Sequence, residues 1–360
     1  VERHHGQPHR GAGGEATGSI TANTEARVGA EQDTGSADDA VITTGALVVS
    51  ATTLNTVEVT PSGGAGGGVA IGGFEASGSV GDADGNGATR AYIGDGARIV
   101  ASSIDVTADG TNDVYVDMLV VGVGVLSGAG GTSAATVAGE VQAFIDPGEK
   151  ADGTASIVVS GAVTVEALSS DVATANADGG AGGGISVSVL YATVANTVET
   201  GAWIGSGAGL DVGSLDVNAN ALNRYGEATI TVGAGAIFGG AGGSTDASSG
   251  GTVEAWIGSG AIVDSAGAVD ILAEGNVEAI ATSEGGAGGG IAVSIFDATA
   301  STGVEAAARV DGDARITAGT FSLATDMLET ASADLSTLGI GVGAGATGDS
   351  IASSTSTNDV

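Results

Sequence analysis

The sequence predicts an all-β fold, a parallel β-helix or β-solenoid of short glycine-rich strands. Three observations point there: a motif that recurs at coil-like spacing, apolar residues that alternate with a period of two, and a composition that opposes helix. Ala-aromatic-Ile-Gly occurs at Ala91–Gly94, Ala202–Gly205 and Ala255–Gly258, with weaker copies opening at Ala26, Ala143 and Ala308. The motif alanines step by 65, 52, 59, 53 and 53 residues, and self-similarity of this kind marks a repeat architecture. Ile185, Val187 and Val189 alternate with Ser186 and Ser188, and Val269, Ile271 and Ala273 with Asp270, Leu272 and Glu274. That is strand patterning. Gly supplies 67 of 360 residues and aromatics only 3%. Each glycine costs a helix about 1 kcal/mol, and few large side chains are available for a thick core. A stack of similar rungs, each burying its face against its neighbours, answers all three observations. A β-sandwich array is the rival and would need clearer linkers.

Taken in order, residues 1–10 read as a disordered tail and 11–360 as one continuous repeat array with no separate globular domain. Two signatures alternate along it. The first is Gly-Gly-Ala-Gly-Gly-Gly at Gly63–Gly68, Gly179–Gly184 and Gly285–Gly290, each leading into an alternating apolar run. The second is a Val/Ile-Gly strand at Val121–Gly124, Val232–Gly235 and Ile340–Gly343, followed in two copies by Gly-Ala-Gly-Gly at Gly128–Gly131 and Gly240–Gly243. The unit is therefore a doublet of about 110 residues, present about three times. Its registers are fixed. Gly11 to Ala26, Gly128 to Ala143 and Gly240 to Ala255 are each 15 residues; Gly180 to Ala202 and Gly286 to Ala308 are each 22. Gly64 to Ala91 is 27, an insert of 5 expected to bulge as a loop. The array opens and closes within a doublet, which predicts a segment of a longer chain or a subunit that joins end to end.

The formal charge is −34, from 43 acids against 9 bases, and Lys150 is the one lysine. A basic face for phosphate is lacking, which argues against nucleic-acid binding. Acidity of this degree keeps a large assembly soluble and attracts cations. The chain has no cysteine, so disulfides and thiolate metal sites are excluded. Met118–Gly139 is long enough to span a bilayer and carries no charge, but similar stretches recur as strands. No transmembrane segment is expected.

Asp82-Ala83-Asp84-Gly85-Asn86-Gly87 is the sharpest local motif. Oxygens from Asp82, Asp84 and Asn86 at loop positions 1, 3 and 5, with Gly at 6, match the first half of a calcium loop. Position 12 is Ile93 instead of a bidentate Glu, so a solvated turn competes with a weak Ca2+ site completed by other oxygens. Asp109–Asp113 and Asp311–Asp313 read mainly as turns. His4, His5 and His9, the only histidines, fall in the tail and lack the fixed geometry a transition metal needs. The glycine tracts are followed by no helix and no lysine, which rules against a phosphate cradle. Catalysis would have to rest on carboxylate pairs, and the acids are dispersed; no enzyme activity is expected. Tyr92, Phe144, Trp203 and Trp256 share one motif position. A stacked ladder filling the solenoid is the favoured reading, and an exposed ladder that binds glycans the alternative.

Gly-Ala-Gly-Gly-Gly-Ile-x-Val-Ser, and Val-Glu followed after zero or two residues by Ala-Trp-Ile-Gly-Ser-Gly-Ala, resemble the repeats of large bacterial surface proteins, the filamentous leukotoxin-like adhesins, with Gly182–Gly209 carrying the match best. The resemblance implies an extracellular or cell-surface location, a β-helical shaft and adhesion or matrix formation, and it transfers no active-site residue. The expected function is a non-catalytic structural or adhesive repeat whose partners are itself and, secondarily, surface glycans. A glycan- or ice-binding module and a polysaccharide-active β-helix enzyme are the alternatives. Ice-binding faces carry regular Thr ladders, which do not recur strictly here.

Overall fold

A computed structural model describes residues 12–30, 40–82, 86–148 and 155–359. The predicted tail, 1–10, lies outside the described residues. All named strand pairings are parallel, and no helix occurs among the described residues.

The described residues wind as seven stacked coils. The first contributes Ala12–Ile20 and Thr24–Val28; the second Ala40–Thr43, Ala46–Val59, Ser62–Val80 and Thr89–Ile93. The third runs through Ala97–Ala101 and Ser103–Ile145, the fourth Ile157–Ile204, the fifth Gly209–Ile257. The sixth runs through Ile262–Ser265 and Ala268–Val310, the seventh Arg315–Thr317 and Thr320–Asp359. The motif alanines Ala26, Ala91, Ala143, Ala202, Ala255 and Ala308 stand in register on successive coils. Each half of the doublet is therefore one complete coil, and coils are spaced about 4.8 Å along the axis.

Within a coil the strand goes out, bends at a glycine-rich arch and returns. The arch is centred near 125, 184, 237 and 290 in the third to sixth coils. Ser133 Oγ donates to the Val116 carbonyl at 3.4 Å, and Asn196 Nδ2 to the Asp171 carbonyl at 2.8 Å. These bonds join the outgoing and return strands of one coil. The section is a flattened two-layer loop, its arms of about 20 residues spanning roughly 65 Å. The strands are longer than expected, up to the 49 residues of Gly209–Ile257. The physical reason is that the glycine tracts bend the chain sideways while their hydrogen bonds continue along the axis.

Between the two layers lies a thin core. Val114, Val116, Met118, Val163, Val165 and Val194 are buried, as are Ala173, Ala175 and Ala177. Gly78 and Gly131 are small because the opposite arm is close. A Cβ on Gly78 would lie 2.8 Å from Val114 Cγ1, and one on Gly131 2.5 Å from Met118 Cε. The return arm ends in a corner five residues beyond Ala91, Ala143, Ala202 and Ala255, where Gly96, Gly148, Gly207 and Gly260 have φ between 69° and 76°. This left-handed conformation favours glycine, with Asp the tolerated substitute. Asp313, φ 63°, occupies the same place in the next corner, so Asp311–Asp313 is a turn as expected. Asp109–Asp113 is not: it lies inside the outgoing strand of the third coil, where period-two alternation continues and turns Asn112 inward.

The five-residue insert falls between Val80 and Thr89. Val80 pairs with Val137 and Thr89 with Val141, so nine steps of the second coil face four of the third. The excess leaves the ladder as a loop.

Candidate functional site

Three features stand out, and the first is the aromatic ladder. Tyr92, Phe144, Trp203 and Trp256 stack on consecutive coils with centroids 4.6, 4.3 and 4.6 Å apart and planes within 8° of parallel. The Arg309 guanidinium caps Trp256 at 4.7 Å. At the other end Arg27 Nη1 donates to Tyr92 Oη at 3.3 Å, and Tyr92 Oη donates to Glu25 at 3.0 Å. The ladder does not fill the solenoid. Ala91, Ala143, Ala202 and Ala255 point inward and are fully buried, as are Ile93, Ile145, Ile204 and Ile257. Alternation therefore places the rings between them on the outer face, half-buried except for the covered Tyr92. Both faces of Phe144, Trp203 and Trp256 are closed by a neighbouring ring or by Arg309, and Tyr92 is buried, so a sugar meets only ring edges. Trp203→Ala is expected to cost about 2–3 kcal/mol through two lost stacks and part of the buried area, with Trp203→Phe costing under half as much. Guanidinium denaturation of the two variants checks this.

The second feature is the arch. On the return arm, one row along the axis reads Val69, Leu126, Ile185, Phe238, Ile291, all exposed large apolar side chains. Two residues further the row reads Ile71, Gly128, Val187, Gly240, Val293, Gly345. Coils of the first signature thus raise an apolar ridge, and coils of the second leave a glycine floor. In one such groove Gly240 and Gly242 lie between Val187 and Val189 on one wall and Val293 and Ile295 on the other. The outgoing arm shows the inverse arrangement at Val121 and Val123 against Gly180 and Gly182. This alternation of large side chains and glycine on coils about 4.8 Å apart is the structural counterpart of the doublet. The signal was present in the sequence as Gly-x-Gly before the arch in one signature and after it in the other.

A polar row inside the core is the third feature, and sequence patterning missed it. Asn55, Asn112, Asp171 and Arg224 stand in register on four coils and are all buried. Asn55 Nδ2 donates to Asn112 Oδ1 at 2.9 Å, and Asn112 Nδ2 to Asp171 Oδ1 at 2.7 Å. Arg224 donates to the Gly250 carbonyl at 2.9 Å and to Thr200 Oγ1 at 3.1 Å. Burial pushes the Asp171 carboxyl up, opposed by the Arg224 charge, and burial pushes the Arg224 guanidinium down. A register shift between Ala221 and Arg224 brings the arginine to the inside.

Asp82 and Asn86 sit in the insert loop. Asn86 Nδ2 donates to Asp82 Oδ2 at 2.7 Å, Asn86 N–H donates to Asp82 Oδ1 at 3.2 Å, and Asp82 N–H donates to the Asn86 carbonyl at 3.1 Å. The structure brings these two together; Asp84 lies outside the described residues, as do His4, His5 and His9. Among the described residues no group of three His, Cys, Asp or Glu is placed to hold a metal ion. Acids meet in pairs across adjoining coils, as at Asp216 and Asp270 and at Glu140 and Glu199. Burial and Asp270 on the adjoining coil raise the Asp216 carboxyl, and burial with Asp105, Asp109 and Glu274 raises Glu166.

No helix among the described residues is long and apolar enough to cross a membrane. No family model matches the chain, and neither a curated protein nor a solved structure is similar to it.

Proposed function

We propose that the chain is a non-catalytic structural array that serves as the shaft of an extracellular filament or adhesin. One observation carries this reading: the coils stack in unbroken parallel register, with the Ala202 row continuous from Ala26 to Ala308. Hydrogen bonds between coils run along the axis, so the object grows in one dimension and each coil contacts only its neighbours. The surface location rests on the resemblance to filamentous adhesins. In the same reading the charge of −34 keeps shafts dispersed, and Ca2+ bridges them, with Asp82, Asp84 and Asn86 as the candidate weak loop.

Electron microscopy of the purified chain tests the shaft. Seven coils at about 4.8 Å each make one chain only about 30 Å long, so rods lengthened by end-to-end joining, with a repeat near 4.8 Å along the rod by diffraction, are expected; particles that stay one chain long would refute it. Millimolar Ca2+ is expected to bundle the rods, and the Asp82→Ala, Asp84→Ala double variant to weaken only the loop's share.

A further inference from the structure

The apolar face at the arch has no occupant among the described residues, and its relief is self-complementary. Ridges at Val187-x-Val189 and Val293-x-Ile295 alternate with the floors Gly128-x-Gly130 and Gly240-x-Gly242, so ridges recur every two coils, about 9.6 Å apart. We propose that this face is a lateral docking surface for a second copy of the same chain. The second copy runs antiparallel, with the two-fold axis passing midway between a ridge and a groove. First-signature coils of one copy then lie over second-signature coils of the other, so each ridge enters the partner's groove. A parallel two-fold would set ridge on ridge, which is why the antiparallel arrangement is chosen.

Area supports this occupant. Exposures near 50% at Val69, Ile71, Ile185, Phe238, Ile291 and their neighbours on the same face give, with about 150–220 Å² for each fully exposed side chain, roughly 900 Å² of large apolar side chain. That exceeds the apolar patches typical of monomers, about 300–600 Å², and reaches the ~800 Å² per partner of a stable dimer. Charge supports it too. Acids crowd the chain, yet the two apolar rows and the glycine floors carry none; Glu75 and Asp297 stand at the rim. Residual repulsion between two copies of charge −34 is screened by salt, so pairing should tighten from 20 to 300 mM NaCl.

The pairing stands independently of the shaft reading, and the experiment separates the two. Sedimentation velocity gives the association constant. Small-angle scattering gives the cross-section, which widens on lateral pairing and stays constant on end-to-end joining. Gly128→Leu and Gly240→Leu fill the grooves. A Cβ at Gly128 meets nothing nearer than 3.8 Å and at Gly240 nothing nearer than 3.8 Å, so the coil itself tolerates the change. The expected result is a widened cross-section for the wild type and at least tenfold weaker association for the double variant. Leu54→Ser, exposed on the outgoing arm, serves as control and leaves the association constant unchanged. Matching circular dichroism and thermal midpoints show that the variants remain folded, and Val187→Ser, which lowers a ridge without adding bulk, must weaken pairing as well. A wild type that stays monomeric, association at constant cross-section, or groove-filled chains that pair as tightly as wild type would each overturn the proposal.

Discussion

Arg224→Met should destabilise the fold by about 3–5 kcal/mol at neutral pH, the cost of leaving the buried Asp171 carboxylate without the nearby Arg224 charge that opposes its desolvation. Arg224 is fully buried, and its charge opposes the upward push that burial exerts on Asp171. The two are already under-supplied with hydrogen bonds: Asp171 Oδ2 and Arg224 Nε have no partner. Removing the guanidinium raises the Asp171 carboxyl further. A carboxyl raised in the folded state contributes stability that is complete below its unfolded value, about 3.9, and lost as pH rises through the folded value. The deficit of Arg224→Met should therefore shrink as the pH falls from 7 towards 4. Asp117, Glu166 and Asp216 are likewise raised, burial first in each case. The wild type should itself gain stability on mild acidification, and the variant should gain more. Asn at position 171 can still accept from Asn112 through Oδ1, so Asp171→Asn combined with Arg224→Met should recover much of the loss. Denaturant midpoints at pH 7 and 4.5 for the single and double variants decide it. A single variant close to wild type at pH 7, or a deficit that does not change with pH, would show that the pair is not charged as read.

The contrast between this row and the rest of the core explains how much was legible in the sequence. The axial register was legible because Ala-aromatic-Ile-Gly marks the same point on each coil, and the alanines stack as their spacing implies. Period two fixed which residues share a face. It did not say which face is inside when both are apolar: Ala202 and Ile204 were as eligible as Trp203, and the rings went out because the space between the arms is thin. Arg224 escaped for a related reason: it looks like an outward polar residue until the register shift at Ala221 to Arg224 is known, and such a shift is a property of paired strands. Asp171 shares the inward parity of Val163, Val165 and Ala167, and what the pattern did not show is the arginine that reaches it from the next coil. The Asp82 loop was located correctly as an excursion, because five extra residues cannot enter a ladder whose neighbours lack them.

Gly183→Val and Gly289→Val should be the most damaging single glycine replacements, each costing more than about 3 kcal/mol, beyond the usual range for point variants. A Cβ on Gly183 would lie 1.6 Å from the Gly124 carbonyl oxygen, and one on Gly289 1.6 Å from that of Ala236, each on the preceding coil. Their φ values of 155° and 153° belong to glycine. No side chain can be rotated away from such a contact, because the obstacle is backbone held by the ladder. The coils would have to part at the arch, and bonds on both sides of the bend would be lost together. Gly235, one residue before Ala236, makes the matched control. A Cβ there meets nothing within 4 Å, and its φ is outside the left-handed set, so Gly235→Ala should be neutral or stabilising by up to about 1 kcal/mol through reduced freedom of the unfolded chain. Thermal midpoints of the three variants give the comparison. If Gly183→Val and Gly235→Ala melt alike, the arch is not set by close backbone contact.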